Sequence, residues 1–397
     1  MQPSRWFAIG QADRSEAKPG LVAADRALRH DDAKLLIVFC SAAQDLAAVV
    51  DQIRGRAGDV PLIGCSTAGE IATDGPSDAS VVVAVFGGEG FSVATAVAEG
   101  ASRDLRAAGA EVARCLAAVE DRPHRVLMLL TDGLAGDQQE IVRGAYGVLG
   151  AGVPLVGGCA GDDLRMTATY QVYGDRVLTD AVVAAGIASD APLGIGVRHG
   201  WRRVGEPMLV TSSQGNRVYT LDNEPALDVY LRHLAVPGPG GSGVSPEMTV
   251  PPSAEELARL ALTHPLGLGR RAGEEQVRFI GGGDFAERSL TCIAEVPQGA
   301  LVWLMEGDDE SVLGATDAAC HDSLQGLEGR PPVGVLVFDC IARRGVLGQE
   351  GIKAEIDRVA TNVGGAPVAG FYTYGEIART RGMTGFHNQT LVVLSIS

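Results

Sequence analysis

Pro61-Leu-Ile-Gly-Cys-Ser-Thr-Ala-Gly-Glu-Ile-Ala72 decides how this chain is read, because it recurs near the other end. Pro367-Val-Ala-Gly-Phe-Tyr-Thr-Tyr-Gly-Glu-Ile-Ala378 repeats its Pro, Gly, Thr, Gly, Glu, Ile and Ala in register. A looser copy, Pro154-Leu-Val-Gly-Gly-Cys-Ala-Gly-Asp-Asp163, keeps the Pro-x-x-Gly opening and a Gly-acid ending but is one residue shorter. Each copy follows an apolar, β-branched run (Lys34–Phe39, Arg125–Leu130, Val333–Phe338) that reads as a buried strand. Helical spacing comes between: Leu46, Val49, Val50 and Ile53; Ile141, Ala145, Val148 and Leu149; Ile352, Ile356 and Val359. A further strand follows each copy, at Ser80–Phe86, Ala181–Ile187 and Thr390–Ile396. One β-α-β-loop-β unit therefore occurs three times.

The repeat fixes the fold class as α/β, bordering on α+β, with mixed sheets covered by helices. Strands joined through a helix should be parallel, and the strand after each loop antiparallel. A length of 397 residues, 46% of them hydrophobic and 21% charged, describes a globular chain of two or three domains.

A net charge of −16 argues against nucleic-acid and anionic-membrane binding, which require basic patches. Seven cysteines without a C-x-x-C pair form neither a disulfide framework nor a zinc pattern. The N-terminus lacks the basic and apolar regions of a signal peptide, and no apolar run approaches the ~20 residues needed to span a bilayer. The expectation is a cytoplasmic protein.

Around the repeats, Trp6–Ala12 reads as a strand and Ser15 as the cap of a helix running to about His30. A helix is expected over Asp104–Val119, a hairpin at Gly174-Asp175 and one strand over Met208–Val218. Leu221–Tyr230 reads as a turn leading into a helix. Pro237–Ser253, rich in Pro and Gly, reads as a surface loop, and Ser253-Ala-Glu-Glu256 as a capping box. Three strand-like runs over Val277–Met305 and a helix over Ser311–Leu324 lead into the last unit.

The loops carry the candidate chemistry. Gly64-x-x-x-x-Gly69-Glu70 and Gly370-x-x-x-x-Gly375-Glu376 have the glycine spacing of a phosphate loop, but a glutamate stands where its lysine would be and would repel phosphate. The glycines allow close approach of a ligand. Ser66, Thr67, Tyr372, Thr373 and Tyr374 offer hydroxyls, and Glu70 and Glu376 would hold an amine. Asp162, after Gly161, matches the Gly-acid position of the other copies. Cys340 and Arg343 follow a strand end, where binding residues gather in α/β sheets; Arg343 would grip a carboxylate or pair with Glu376. Cys65 and Cys159, inside the loops, are the thiols a nucleophilic mechanism would use, but no histidine lies near them in sequence. No nucleophile elbow, zinc-protease or kinase signature occurs, so the chain reads as a binder, not an enzyme, and without a metal site.

Together, GCSTAGEI, GGCAGDD, Phe338-Asp-Cys-Ile-Ala-Arg-Arg344, GFYTYGEI and Phe386-His-Asn-Gln-Thr390 resemble the hallmarks of FIST-domain sensory proteins of prokaryotes, over nearly the whole chain. The resemblance implies an N-terminal domain over 1–222 and a C-terminal one over 223–397, and adds Asn388 to the candidate ligand set. It implies a small ligand such as an amino acid. It also implies signalling through a separate partner: a histidine kinase, a diguanylate cyclase or phosphodiesterase, or a chemoreceptor. A subgroup of the family binds haem and senses nitric oxide; His387 is the residue that would ligate it here.

Overall fold

A computed structural model describes residues 4–234, 253–269, 275–380 and 385–397; of the Pro237–Ser253 stretch, only Ser253 falls among them. The Pro-x-x-Gly copies lie on the second of two parallel strands. Ala33–Ser41 runs parallel to Leu62–Thr67, His124–Thr131 to Leu155–Cys159, and Gly334–Cys340 to Val368–Thr373. The helices Leu46–Ala57, Gln138–Leu149 and Ile341–Asn362 make the crossovers. Ser80–Gly88, Ala181–Ser189 and Leu391–Ile396 return antiparallel beside the first strand, as expected. The glycine of each copy has a packing cause. A Cβ at Gly64, Gly157 or Gly370 would lie 2.3, 1.9 or 1.9 Å from the carbonyl oxygen of Val38, Leu129 or Val337.

The repeat is longer than its sequence signal. Each unit begins with an edge strand (Arg5–Asp13, Phe91–Glu99, Leu193–Arg198) that pairs antiparallel with that unit's last strand. A helix follows (Pro19–Ala27, Leu105–Ala113, Asp309–Gln325). In the third unit an eight-stranded antiparallel sheet, within residues 202–306, is inserted between the edge strand and this helix.

The units also exchange hairpins. The first unit's hairpin, Glu70–Ala72 with Gly75–Ser77, pairs with Val368–Thr373 of the third. The second unit's, Gln171–Tyr173 with Arg176–Leu178, pairs with Leu62–Thr67 of the first. The third unit's, Glu376–Arg379 with Phe386–His387, pairs with Leu155–Cys159 of the second. Three six-stranded sheets result, each completed by another unit in cyclic order.

One apolar cluster draws on all three sheets, with Phe39 stacked on Phe371 at 4.9 Å and Phe338 edge-on to Phe371 at 5.9 Å. The opposite faces carry the helices: Leu46, Val49, Val50 and Ile53 are buried in one outer cluster, and Ile352, Ile356 and Val359 in another. Burial of these apolar faces is the main favourable term holding sheet to helix.

Several boundaries differ from expectation. The first helix starts at Pro19, because Ser15 hydrogen-bonds Asp13 and proline favours the first helical position. Met208–Val218 is two strands, Arg202–Gln214 and Arg217–Leu221, turned at Gly215 with φ 59°. Asp222 and Asn223, φ 49° and 66°, form the tight turn from Arg217–Leu221 to Glu224–Pro225. The Ser253–Glu256 capping box is present. Among the described residues, no helix is long and apolar enough to cross a membrane.

Candidate functional site

The three loops meet at one junction and interlock through their main chains. Tyr372 N–H donates to the Gly69 carbonyl, Cys159 N–H to that of Gly375, and Ser66 N–H to that of Tyr170, each at 2.8 Å. Ala68 N–H and Tyr374 N–H return bonds to Tyr372 and Cys159, at 3.0 and 3.1 Å. The second contact with the middle unit is made by Ser66, whose carbonyl accepts from Gly161 N–H at 3.0 Å and whose hydroxyl donates to the Gly161 carbonyl at 2.7 Å. Ser66, Thr67, Gly69, Glu70, Cys159, Gly161, Asp162, Tyr372, Thr373, Tyr374, Gly375 and Glu376 thus lie at or beside this junction.

Two carboxyl groups sit beneath the junction in matching surroundings. Glu70 bonds the Thr67 hydroxyl through Oε1, and through Oε2 accepts from Ser80 N–H at 2.9 Å and the Ser80 hydroxyl at 2.7 Å. Glu376 bonds Thr373 through Oε1 and accepts from Thr390 N–H and its hydroxyl at 3.1 and 2.6 Å through Oε2. Both are fully buried. Burial, opposed by those hydrogen bonds, pushes each up to about 7.

The equivalent position in the second unit is Gln171. Val172 faces Gly64, as Ile71 faces Gly370 and Ile377 faces Gly157, which fixes the correspondence. The match of Asp162 to the Gly-acid position is therefore corrected: the middle unit carries extra residues between its strand end and its hairpin. Asp162 organises that excursion. Its carboxylate accepts from the amides of Met166, Thr167 and Ala168 at 2.9, 2.7 and 3.0 Å and from the Tyr374 hydroxyl. Burial raises its pKa, but these donors outweigh it and bring the group down to about 2.

Arg343 is placed elsewhere. It sits in the first turn of Ile341–Asn362, fully buried, and donates to Asp339 at 2.9 Å, to Glu355, to the Thr316 hydroxyl at 3.0 Å and to the His199 and Val312 carbonyls. The pairing with Glu376 is not made; Glu355, twelve residues along the same helix, takes that place. Arg344 is the arginine that reaches the junction, which the sequence reading missed although the doublet was visible. It bonds both oxygens of Asp78 at 2.6 and 2.8 Å and the Ala68 carbonyl at 3.3 Å, and lies over the Tyr372 ring.

The thiols of Cys65, Cys159 and Cys340 are buried, and burial raises all three, so they stand as thiols and not thiolates. Cys340 lies beside Glu376. Asn388 is buried and donates to the His387 carbonyl at 3.1 Å. His387 is also buried, its Nε2 2.9 Å from the Ala378 carbonyl within the exchanged hairpin. Among the described residues, no group of three or more His, Cys, Asp or Glu is arranged to hold a metal.

A cavity of about 550 Å³ opens against the first unit's hairpin. Gln11 and Asp13 line it from the edge strand, Arg26 and Arg29 from the first helix side, Asp74 and Ser77 from the hairpin, and Asp78 and Ser80 from its link to the unit's last strand. From its wall a chain of hydrogen bonds leads inward. Gln11 donates to Ser77 Oγ at 2.8 Å, the Ser77 and Ser80 hydroxyls lie 2.7 Å apart, and Ser80 Oγ donates to Glu70 at 2.7 Å. A larger hollow, about 700 Å³, lies over Gly281–Gly283 in the inserted sheet.

Fold and site define an α/β protein of three interlocked units with a polar cavity joined to their junction. Residues 34–224 match the FIST N domain and residues 226–379 the FIST C domain. The chain belongs to the FIST family, whose domains are associated with sensory signal transduction and small-ligand binding. It is 29% identical over 251 residues to an uncharacterised protein of Mycobacterium tuberculosis, covering 60% of each chain. It is 23% identical over 320 residues to an uncharacterised protein of Methanocaldococcus jannaschii, covering 75% of this chain and 59% of that one. The chain thus spans about 60% of the length of these curated relatives. Among solved structures, a cyanuric acid hydrolase from A. caulinodans aligns over 99% of this chain and 100% of its own, at 11% identity and a TM-score of 0.35.

Proposed function

We propose that the protein is a sensor that binds an amino acid or a similarly small zwitterionic metabolite and reports its presence to a separate partner protein. The observation that supports this reading is the hydrogen-bond chain from the cavity through Gln11, Ser77 and Ser80 to Glu70. A ligand touching either serine perturbs a carboxyl group that helps hold two units together. The cavity, about 550 Å³, falls within the roughly 300–1,000 Å³ usual for small-molecule sites. Its walls carry both charges: Arg26 and Arg29 suit a carboxylate, and Asp13 and Asp74 an ammonium group. Glu70 and Glu376, already bonded within the chain, are responders in this reading and do not grip the ligand. Binding is favoured over catalysis because the loop thiols are buried and raised and the junction acids are engaged. The partner is a kinase, a cyclic-dinucleotide enzyme or a chemoreceptor that reads the junction.

The test is a thermal-shift screen of the common amino acids against the wild type, Arg29→Met and Asp74→Asn. Ligand at a hundredfold excess over Kd stabilises by about 2.7 kcal/mol, so at least one amino acid should raise Tm by several degrees in the wild type and fail to do so in both variants. A screen with no shift at millimolar amino acid, or a shift untouched by both substitutions, removes this reading.

A further inference from the structure

The three hairpin positions Glu70, Glu376 and Gln171 are equivalent in register, and each faces the same peptide N–H at the start of its unit's last strand. That donor is Ser80, Thr390 or Ala181, bonded at 2.9, 3.1 and 3.3 Å. In the second unit this N–H fixes the amide: Oε1 must face Ala181, so Nε2 points at the Thr169 hydroxyl, 3.5 Å away. The corresponding atom of each glutamate, Oε1, contacts a threonine hydroxyl as well, Thr67 or Thr373. The side of the group that is a donor in the second unit is thus an oxygen against a hydroxyl in the first and third. A hydroxyl accepts as readily as it donates.

We infer that Glu70 and Glu376 are neutral acids in the folded protein, each donating its Oε1 proton to a threonine, and that losing those protons loosens two of the three exchanged hairpins while the third, held by Gln171, stays in place. The remaining surroundings agree. Glu70 is faced by Cys40 and Cys65 from the two parallel strands and by Asp163 from the middle unit's loop. Arg344, from the helix, feels its charge but is bonded to Asp78. Glu376 is faced by Cys159 of the neighbouring unit and by Asp339 and Cys340 of its own. These thiols are neutral, and among the described residues no lysine or arginine hydrogen-bonds either glutamate. A buried carboxylate without a cation is held at high cost, and the acid form avoids it.

The sign follows from where the proton is bound more tightly. Each glutamate is raised in the folded state, to about 7, above its ordinary 4.5. The folded chain therefore holds protons that the opened one has released. The stabilisation is complete below the ordinary value and is lost as pH rises towards and through 7.

The experiment is amide hydrogen exchange of the intact chain at about pH 5 and about pH 8, corrected for the intrinsic pH dependence of exchange. Protection should fall at the higher pH in hairpins 70–77 and 376–379, by tenfold or more in the opening equilibrium, and hold in hairpin 171–178. Glu70→Gln and Glu376→Gln should each abolish the fall in its own hairpin only. A parallel fall in all three hairpins, or no change in either glutamate hairpin, overturns the inference. Should a glutamine variant fail to fold, ¹³C titration of the wild-type glutamate carboxyls decides: two should titrate near neutrality, and titration of every one in the ordinary acidic range overturns it.

Discussion

Arg343→Met should lower the unfolding free energy by about 3–5 kcal/mol, read as a reduced midpoint in urea. Arg343 is fully buried between Asp339 and Glu355, which are fully buried too, and its three guanidinium nitrogens reach two carboxylates, one hydroxyl and two carbonyls. Methionine fills much of the volume but leaves Glu355 without its cation and two carbonyls without donors. Removing one partner of a buried pair is costly because the other charge stays behind. Arg344 supplies the comparison inside the same helix turn. It too pairs with a carboxylate, here through both oxygens, but the Asp78 side chain is 61% exposed, so Arg344→Met should cost under about 1 kcal/mol. Equal losses for the two variants would contradict this assignment of roles.

Gly370→Ala should be at least as damaging, about 3 kcal/mol or more, with Gly157→Ala close behind. The new methyl would stand 1.9 Å from the Val337 carbonyl oxygen in one case and from that of Leu129 in the other. The obstacle is backbone in the middle of a parallel pair, so no side chain can turn aside; the strands themselves must part. Gly55→Ala, in the helix Leu46–Ala57 with nothing within 4 Å of its Cβ position, should instead stabilise by up to about 1 kcal/mol, since glycine inside a helix is unfavourable. Urea midpoints of the three proteins check both signs. A tolerated alanine at Gly370 would mean that the Pro-x-x-Gly repeat marks something other than strand packing.

The same glycines show what sequence alone made legible. Pro-x-x-Gly recurs because the parallel pair needs it, so the repeat gave both the unit and its strand directions. The hairpin exchange was invisible: alternation and turn residues say that Glu70–Ala72 is a strand, but not that its partner is Val368–Thr373, nearly three hundred residues on. That an edge strand and a first helix belong to each unit escaped because their residues differ among copies, and in the third copy an inserted sheet separates them. At the site, the Thr-x-x-Glu spacing was visible in two units, and the structure gives it the same geometry in both. Asp162 was misplaced for a physical reason. A short loop and a long one can begin alike, and only strand register reveals that Gln171 holds the equivalent place. Arg343 could not be assigned from its neighbours in sequence, because its second carboxylate comes from beyond the kink at Gly348.

The central claim is that occupancy of the cavity reaches the junction of the three units. It is tested most directly by amide exchange at Ser66, Cys159 and Tyr372, the three N–H groups that tie the loops in a ring, with and without the amino acid that gives the largest thermal shift. The account predicts slower exchange at all three in the wild type. In Ser77→Ala, which cuts the chain between Gln11 and Ser80, the same amino acid should still bind but protect only the cavity wall. Protection confined to the wall in the wild type, with the three ring amides unchanged, would contradict it.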